Sequence, residues 1–184
     1  MAGTDRTQTL SFDPAPAVIL AEPQLGENIG AAARAMANFG LWDLRLVKPR
    51  DGWPNEKARA SASRADHVID RVQVFETFPE AIADLSLVLA TTARRRELAH
   101  EVIGPDEGAR RLAKHIGGGE KAGIVFGREK WGLYNEEVAL CDTIVTLPVE
   151  PAFASLNIAQ AVLVLAYEWR RETTQAVLPF ATPD

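Results

Sequence analysis

Between residues 17 and 171, short apolar runs alternate with helical stretches, and this alternation limits the fold more than any other feature of the chain. The run Ala17-Val18-Ile19-Leu20-Ala21 precedes an alanine-rich helical stretch over 30–39 that Gly40 stops; Leu44-Arg45-Leu46-Val47 follows and is ended by Lys48-Pro49. The same reading gives a helix over 56–63, a strand over 68–75, a helix over 78–84 and a buried strand over 85–91. Pro105 opens a helix reaching 116, which Gly117-Gly118-Gly119 closes. A strand at 123–126, a short helix at 135–139 capped by Asn135, a strand at 143–147 and a long helix at 155–171 capped by Ser155 complete the pattern. Strands separated by helices pair in parallel through crossovers. The expectation is therefore an α/β fold, a parallel sheet flanked by helices on both faces. No internal repeat or linker interrupts it. Residues 1–15 and 173–184 read as loosely held tails around a domain at 16–172.

Composition excludes several classes. A chain of 184 residues can bury a core without disulfides or metal. Its single Cys141 cannot form an intramolecular disulfide, which suits a reducing compartment. The longest apolar run, 158–167, contains Gln160 and falls short of the roughly 20 residues of a membrane span. The polar start of the chain does not read as a signal peptide. A cytoplasmic protein without membrane contact is expected. No His, Cys and carboxylate cluster has ligand spacing, so no metal is expected. The net charge of −5 permits a nucleic-acid partner without arguing for one. Distribution matters more than total: Arg94, Arg95 and Arg96 form a dense cluster just after a strand.

Three segments carry chemistry. In Asn28-Ile29-Gly30-Ala31-Ala32-Ala33-Arg34 the small side chains let another surface come close, leaving Arg34 and Asn38 to reach out from one helix face. Alone, Arg34 reads as solvated surface; only together with the other motifs does it become a candidate to hold an RNA phosphate or orient the attacking hydroxyl. In Phe126-Gly127-Arg128-Glu129-Lys130-Trp131-Gly132-Leu133, Gly127 allows a close backbone approach to a ligand and Gly132 closes the loop. The segment lacks the Lys-Ser/Thr of a phosphate-cradling loop, and no Gly-x-Gly-x-x-Gly follows the first strand. Glu129 is either a functional carboxylate or the local ion-pair partner of Arg128 or Lys130. The third segment, 147–157, is stiffened by Pro148 and Pro151 and offers backbone N–H and C=O groups to a ligand; Ser155 is also a natural helix cap.

In order and spacing these segments resemble the signature motifs of the SpoU/TrmH branch of the SPOUT methyltransferases, with closest likeness to the TrmJ-like bacterial tRNA enzymes. The resemblance spans about 16–171. It implies a C-terminal trefoil knot, S-adenosyl-L-methionine as cofactor, methylation of a ribose 2′-hydroxyl in the tRNA anticodon loop, and a homodimer using the first and last helices. Carried over by position, it implies cofactor contacts at Thr91, Thr92, Ala93, Gly127, Leu147, Ala154, Ser155 and Leu156. It implies catalytic roles for Asn28, Arg34, Glu129, Ser155 and Asn157. RNA is expected at Arg94, Arg95, Arg96 and Arg128, around the pocket mouth. The general base stays unassigned, because His67, His100 and His115 lie outside all three motifs and a guanidinium keeps its proton. Relatives of this group continue into a helical C-terminal extension that these 184 residues do not include. An rRNA substrate, and a catalytically silent RNA-binding module, remain alternative readings.

Overall fold

A computed structural model describes residues 3–93 and 99–180. In chain order its elements are β1 (Ala17–Ala21), α1 (Gly26–Asn38), β2 (Leu44–Val47), α2 (Glu56–Ser61), α3 (Asp66–Ile69), β3 (Gln73–Phe75) and α4 (Phe78–Ile82). They continue as β4 (Leu87–Thr91), β5 (Val102–Ile103), α5 (Pro105–Gly117), β6 (Ala122–Phe126), α6 (Asn135–Ala139), β7 (Thr143–Val145) and α7 (Ile158–Thr173), with a 3-10 turn at Pro151–Phe153. The strands form one sheet in the order β3-β2-β1-β6-β4-β7-β5, and every pairing is parallel.

Side chains alternate across the sheet, as a two-residue period requires. Val18, Leu20, Ile124, Phe126, Leu89 and Val145 join the core under α1, α5 and α7. Ile19, Val125, Val88, Ala90 and Ile144 face the smaller core under α4 and α6. Arg45 points into the second layer, where it donates to the carboxylates of Asp43 and Asp84 and to the Ala81 carbonyl. The guanidinium is almost fully buried, so these bonds are what makes its charge tolerable there.

Glycine governs one helix crossing. A Cβ on Gly30 would fall inside van der Waals contact of the Ala58 carbonyl oxygen, so α1 and α2 can approach only because that position is bare. The contacts run Gly26 to Asn55, Gly30 to Ala58 and Arg34 to Ser63, so the two helices lie side by side in the same direction.

Several sequence expectations are corrected. The first helix starts at Gly26 rather than 30, because Asn28 and Ile29 N–H groups already bond the Leu25 carbonyl. The expected strand at 68–75 is split: Val68 and Ile69 close a helical turn, and only Gln73–Phe75 pair with β2. Asn135 is the first helical residue rather than the cap; the backbone N–H of Tyr134 bonds Glu137 Oε1 at 2.7 Å. Ser155 does not cap α7. Asn157 does, its Oδ1 accepting from the Ala159 and Gln160 amides. The two-residue β5 escaped detection because its pairing with β7 is entirely non-local. The N-terminal tail is anchored at its inner end, where Trp42 Nε1 donates to the Asp13 carbonyl and Phe12 meets Trp42 edge to face.

Candidate active site

The carboxyl ends of β4, β6 and β7 open onto a cavity of about 470 Å³. That is within the roughly 300–1,000 Å³ typical of small-molecule sites, and the carboxyl ends of parallel strands are where such sites form. Three loops wall it: 91–93 after β4, 127–132 after β6, and 147–156 leading into α7. Phe126, Val145 and Ile158 supply buried apolar surface. All eight residues expected around a cofactor lie along these walls: Thr91, Thr92, Ala93, Gly127, Leu147, Ala154, Ser155 and Leu156. Glu129 and Lys130 are the charged groups of the lining.

Polar side chains tie the three motifs together at one rim. Asn157 Nδ2 donates to Asn28 Oδ1 at 3.0 Å, and Asn28 Nδ2 reaches Glu129 Oε1 at 3.5 Å. The Gln24 amide donates to both Glu129 oxygens, at 3.1 and 3.3 Å. Thus Asn28, Glu129 and Asn157, distant in sequence, form one hydrogen-bonded chain. Glu129 takes neither of the ion-pair roles open to it in sequence: a backbone amide and an asparagine hold it, so the carboxylate is oriented toward the cavity wall.

Arg128 overturns its expected role. It was expected at the pocket mouth, gripping RNA, but it is 7% exposed and fully engaged. Its Nε donates to Glu22 at 2.6 Å, and its two terminal nitrogens fork onto Glu137 at 2.8 and 3.1 Å. It also donates to the Gly132 carbonyl and lies over the Tyr134 ring. Burial opposes the charge, but the Glu137 and Glu22 carboxylates outweigh it, and the Arg128 pKa is raised above its ordinary value. Arg128 therefore holds the 127–132 loop in shape. Sequence alone could not find its partners, which lie one strand and one helix away. Arg128→Ala leaves Glu137 buried without its counter-charge, so a loss of about 3–5 kcal/mol is expected. Arg59→Ala removes only half-exposed, solvent-screened pairs with Asp66 and Asp70, and should leave stability nearly unchanged. Thermal denaturation of the two variants checks the contrast.

Gly127 also has a reason beyond the expected one. A Cβ there would collide with the backbone of Gly132 and Leu133, so the glycine serves the closure of its own loop as well as lining the cavity. The loop is closed by paired bonds between Arg128 and Gly132, at 3.1 and 2.9 Å. Arg34 is exposed on α1 and does not line the cavity; its Nη1 donates to Ser63 Oγ at 3.3 Å. Arg94, Arg95 and Arg96 lie outside the described residues. Among the described residues no group of three or more His, Cys, Asp or Glu could hold a metal ion.

Comparison with known proteins gives a consistent picture. The family model described as SpoU rRNA Methylase family matches residues 15–167. The chain is 42% identical over 153 residues to the tRNA (cytidine/uridine/adenosine-2′-O-)-methyltransferase TrmJ of Pseudomonas aeruginosa, covering 83% of this chain and 59% of that protein. It is 40% identical over 154 residues to the tRNA (cytidine-2′-O-)-methyltransferase TrmJ of Methanocaldococcus jannaschii, covering 82% and 65%. The crystal structure of TrmJ from Zymomonas mobilis superposes with a TM-score of 0.82 at 53% identity, covering 85% of this chain and 69% of that one. The chain thus spans about three fifths of the length of these curated relatives.

Proposed function

We infer the function from one premise: the chain belongs to the SpoU methylase family. We propose that it is an S-adenosylmethionine-dependent methyltransferase acting on a ribose 2′-hydroxyl of tRNA, in the anticodon loop, with its catalytic domain at 16–172. The observation that carries this reading is the Asn157–Asn28–Glu129 chain, which joins the three motifs and ends on Glu129 in the cavity wall. The similarity to TrmJ proteins favours tRNA over rRNA as substrate.

The walls suit this cofactor chemically. An adenosine needs apolar surface and backbone hydrogen-bonding groups, which Phe126, Ile158 and the 147–156 segment supply. A sulfonium cation is stabilised by a nearby carboxylate, and Glu129 is held in place to be one. When bound, S-adenosylmethionine supplies an electrophilic methyl group; the protein contributes binding, orientation and electrostatics. Asn28 and Asn157 orient Glu129 and the entry to α7, and Ser155 offers a hydroxyl at the wall. Arg34 orients substrate.

We also propose a homodimer. Arg34 does not line the cavity of its own chain, so a second copy would have to bring it there. Leu163 and Tyr167 on α7 are exposed apolar groups, and Tyr167 packs edge to face on Phe39 just after α1. This supports a contact spanning both helices. The trefoil knot is supported by the sheet order, in which β7 lies between β4 and β5, strands consecutive in the chain. No helix among the described residues is long and apolar enough to cross a membrane; we propose a cytoplasmic location, where the lone, buried Cys141 would stay reduced.

Calorimetric titration with S-adenosylhomocysteine tests the cofactor assignment. Saturable binding at one site per chain is expected. Absence of binding by folded protein would remove the cofactor and with it the proposed reaction.

A further inference from the structure

The turn that follows α2 is built from residues that its backbone does not favour. Ala65 N–H bonds the Ala62 carbonyl at 2.9 Å, and both intervening residues are left-handed, Ser63 with φ 46° and Arg64 with φ 74°. Two consecutive positive φ values are the pattern of a type I′ turn, where Gly, Asn and Asp are the usual occupants. A long side chain such as Arg is uncommon in this conformation, and residues held there against preference concentrate at functional sites.

The surroundings say what the turn could do. The Ser63 hydroxyl accepts from Arg34 Nη1, so the turn touches the one reaching cation of the first motif. The close packing at Gly30 fixes α2 against α1 and sets that distance. The nearby carboxylates of Asp66 and Asp70 are both held by Arg59, at 3.0 and 2.6 Å, which offsets part of their charge. Among the described residues neither Arg34 nor Arg64 forms an ion pair, and both are exposed. Arg34 retains further N–H donors beyond the one given to Ser63.

We propose that the Ser63–Arg64 turn is part of the RNA-binding surface: Arg64 contacts a phosphate of the substrate, and Ser63 is a positioning residue that aims Arg34. The inference rests on the tRNA methyltransferase reading and extends it to two residues outside all three motifs. Fixing one N–H of Arg34 on a hydroxyl restricts a flexible side chain, so less ordering is left for the moment of RNA binding.

Glycine substitutions give a clean test, because glycine accepts left-handed backbone without strain and neither variant should misfold. Arg64→Gly is expected to melt at or above the wild-type temperature, by about 2–4 °C at most. It should still bind unmodified tRNA more weakly, with the slope of log affinity against log salt reduced by about one. Ser63→Gly should lower kcat for methyl transfer several-fold, with S-adenosylhomocysteine affinity unchanged. Ser63→Asn, which tolerates the same backbone and offers an acceptor oxygen, should restore much of the rate. Full cofactor binding together with an unchanged salt slope in Arg64→Gly and an unchanged rate in Ser63→Gly overturns this proposal and leaves the proposed function standing. A wild-type chain that binds neither cofactor nor tRNA overturns this proposal and the proposed function together.

Discussion

Arg34→Ala is expected to slow methyl transfer to tRNA by about a hundred- to thousand-fold, the usual cost of losing one positioned donor, while S-adenosylhomocysteine binds as tightly as before. The separation follows from where the side chain stands. Arg34 is exposed, bonds only Ser63 Oγ among the described residues, and is absent from the cavity wall. Its removal opens no cavity in the core and breaks no buried pair, so the fold should be unaffected within about 0.5 kcal/mol. A guanidinium that orients RNA acts on the reaction and not on the bound cofactor, so the two readouts must part. Single-turnover methylation and calorimetry on the same preparation measure both. Equal losses in rate and cofactor affinity would make Arg34 a structural residue.

Gly127→Ala is expected to act in the opposite way and to lower cofactor affinity at least about a hundred-fold. The added Cβ would overlap the Gly132 and Leu133 backbone, so the loop can accept it only by giving up the Arg128–Gly132 bonds that close it. Overpacking of this kind costs about 1–3 kcal/mol before any lost contact is counted. The same loop carries Glu129 and Lys130 on the cavity wall and Arg128 beneath it, so distortion moves the wall and loosens the buried ion pair together. Calorimetry should show weak or no binding, and the melting temperature should fall. Wild-type affinity in Gly127→Ala would mean that the loop does not shape the cofactor site.

Much of the fold was legible because its signals are local. The β1 and β2 bounds follow from apolar runs with turn residues after them, and α5 from Pro105 at its start and glycines at its end. The missed elements depend on non-local partners. β5 is two residues long and exists only because β7 lies beside it, and α3 is a single turn within what reads as an apolar strand. The start of α7 is ambiguous in sequence because Ser155 and Asn157 are both good caps; the backbone settles on Asn157, which also bonds Asn28.

The candidate site divides in the same way. The residues around the cavity could be named because the 91–93 segment and the second and third motifs follow the ends of β4, β6 and β7, and β4 lies between the other two in the sheet. Side-chain roles were less legible. Whether Arg128 faces solvent or carboxylates depends on Glu22 and Glu137, which only the fold brings to it. The Ser63–Arg64 turn gave no sequence signal at all, because a type I′ turn is ordinarily recognised by the glycine or asparagine that this chain lacks there.

Methylation of a ribose 2′-hydroxyl can be read directly by incubating the chain with unmodified tRNA and S-adenosylmethionine labelled in its methyl group, followed by alkaline hydrolysis. A 2′-O-methyl group removes the hydroxyl that alkaline cleavage needs, so the label should survive in alkali-resistant dinucleotides. Label recovered in mononucleotides, which marks methylation of a base, or no transfer by protein that binds the cofactor, would contradict the account.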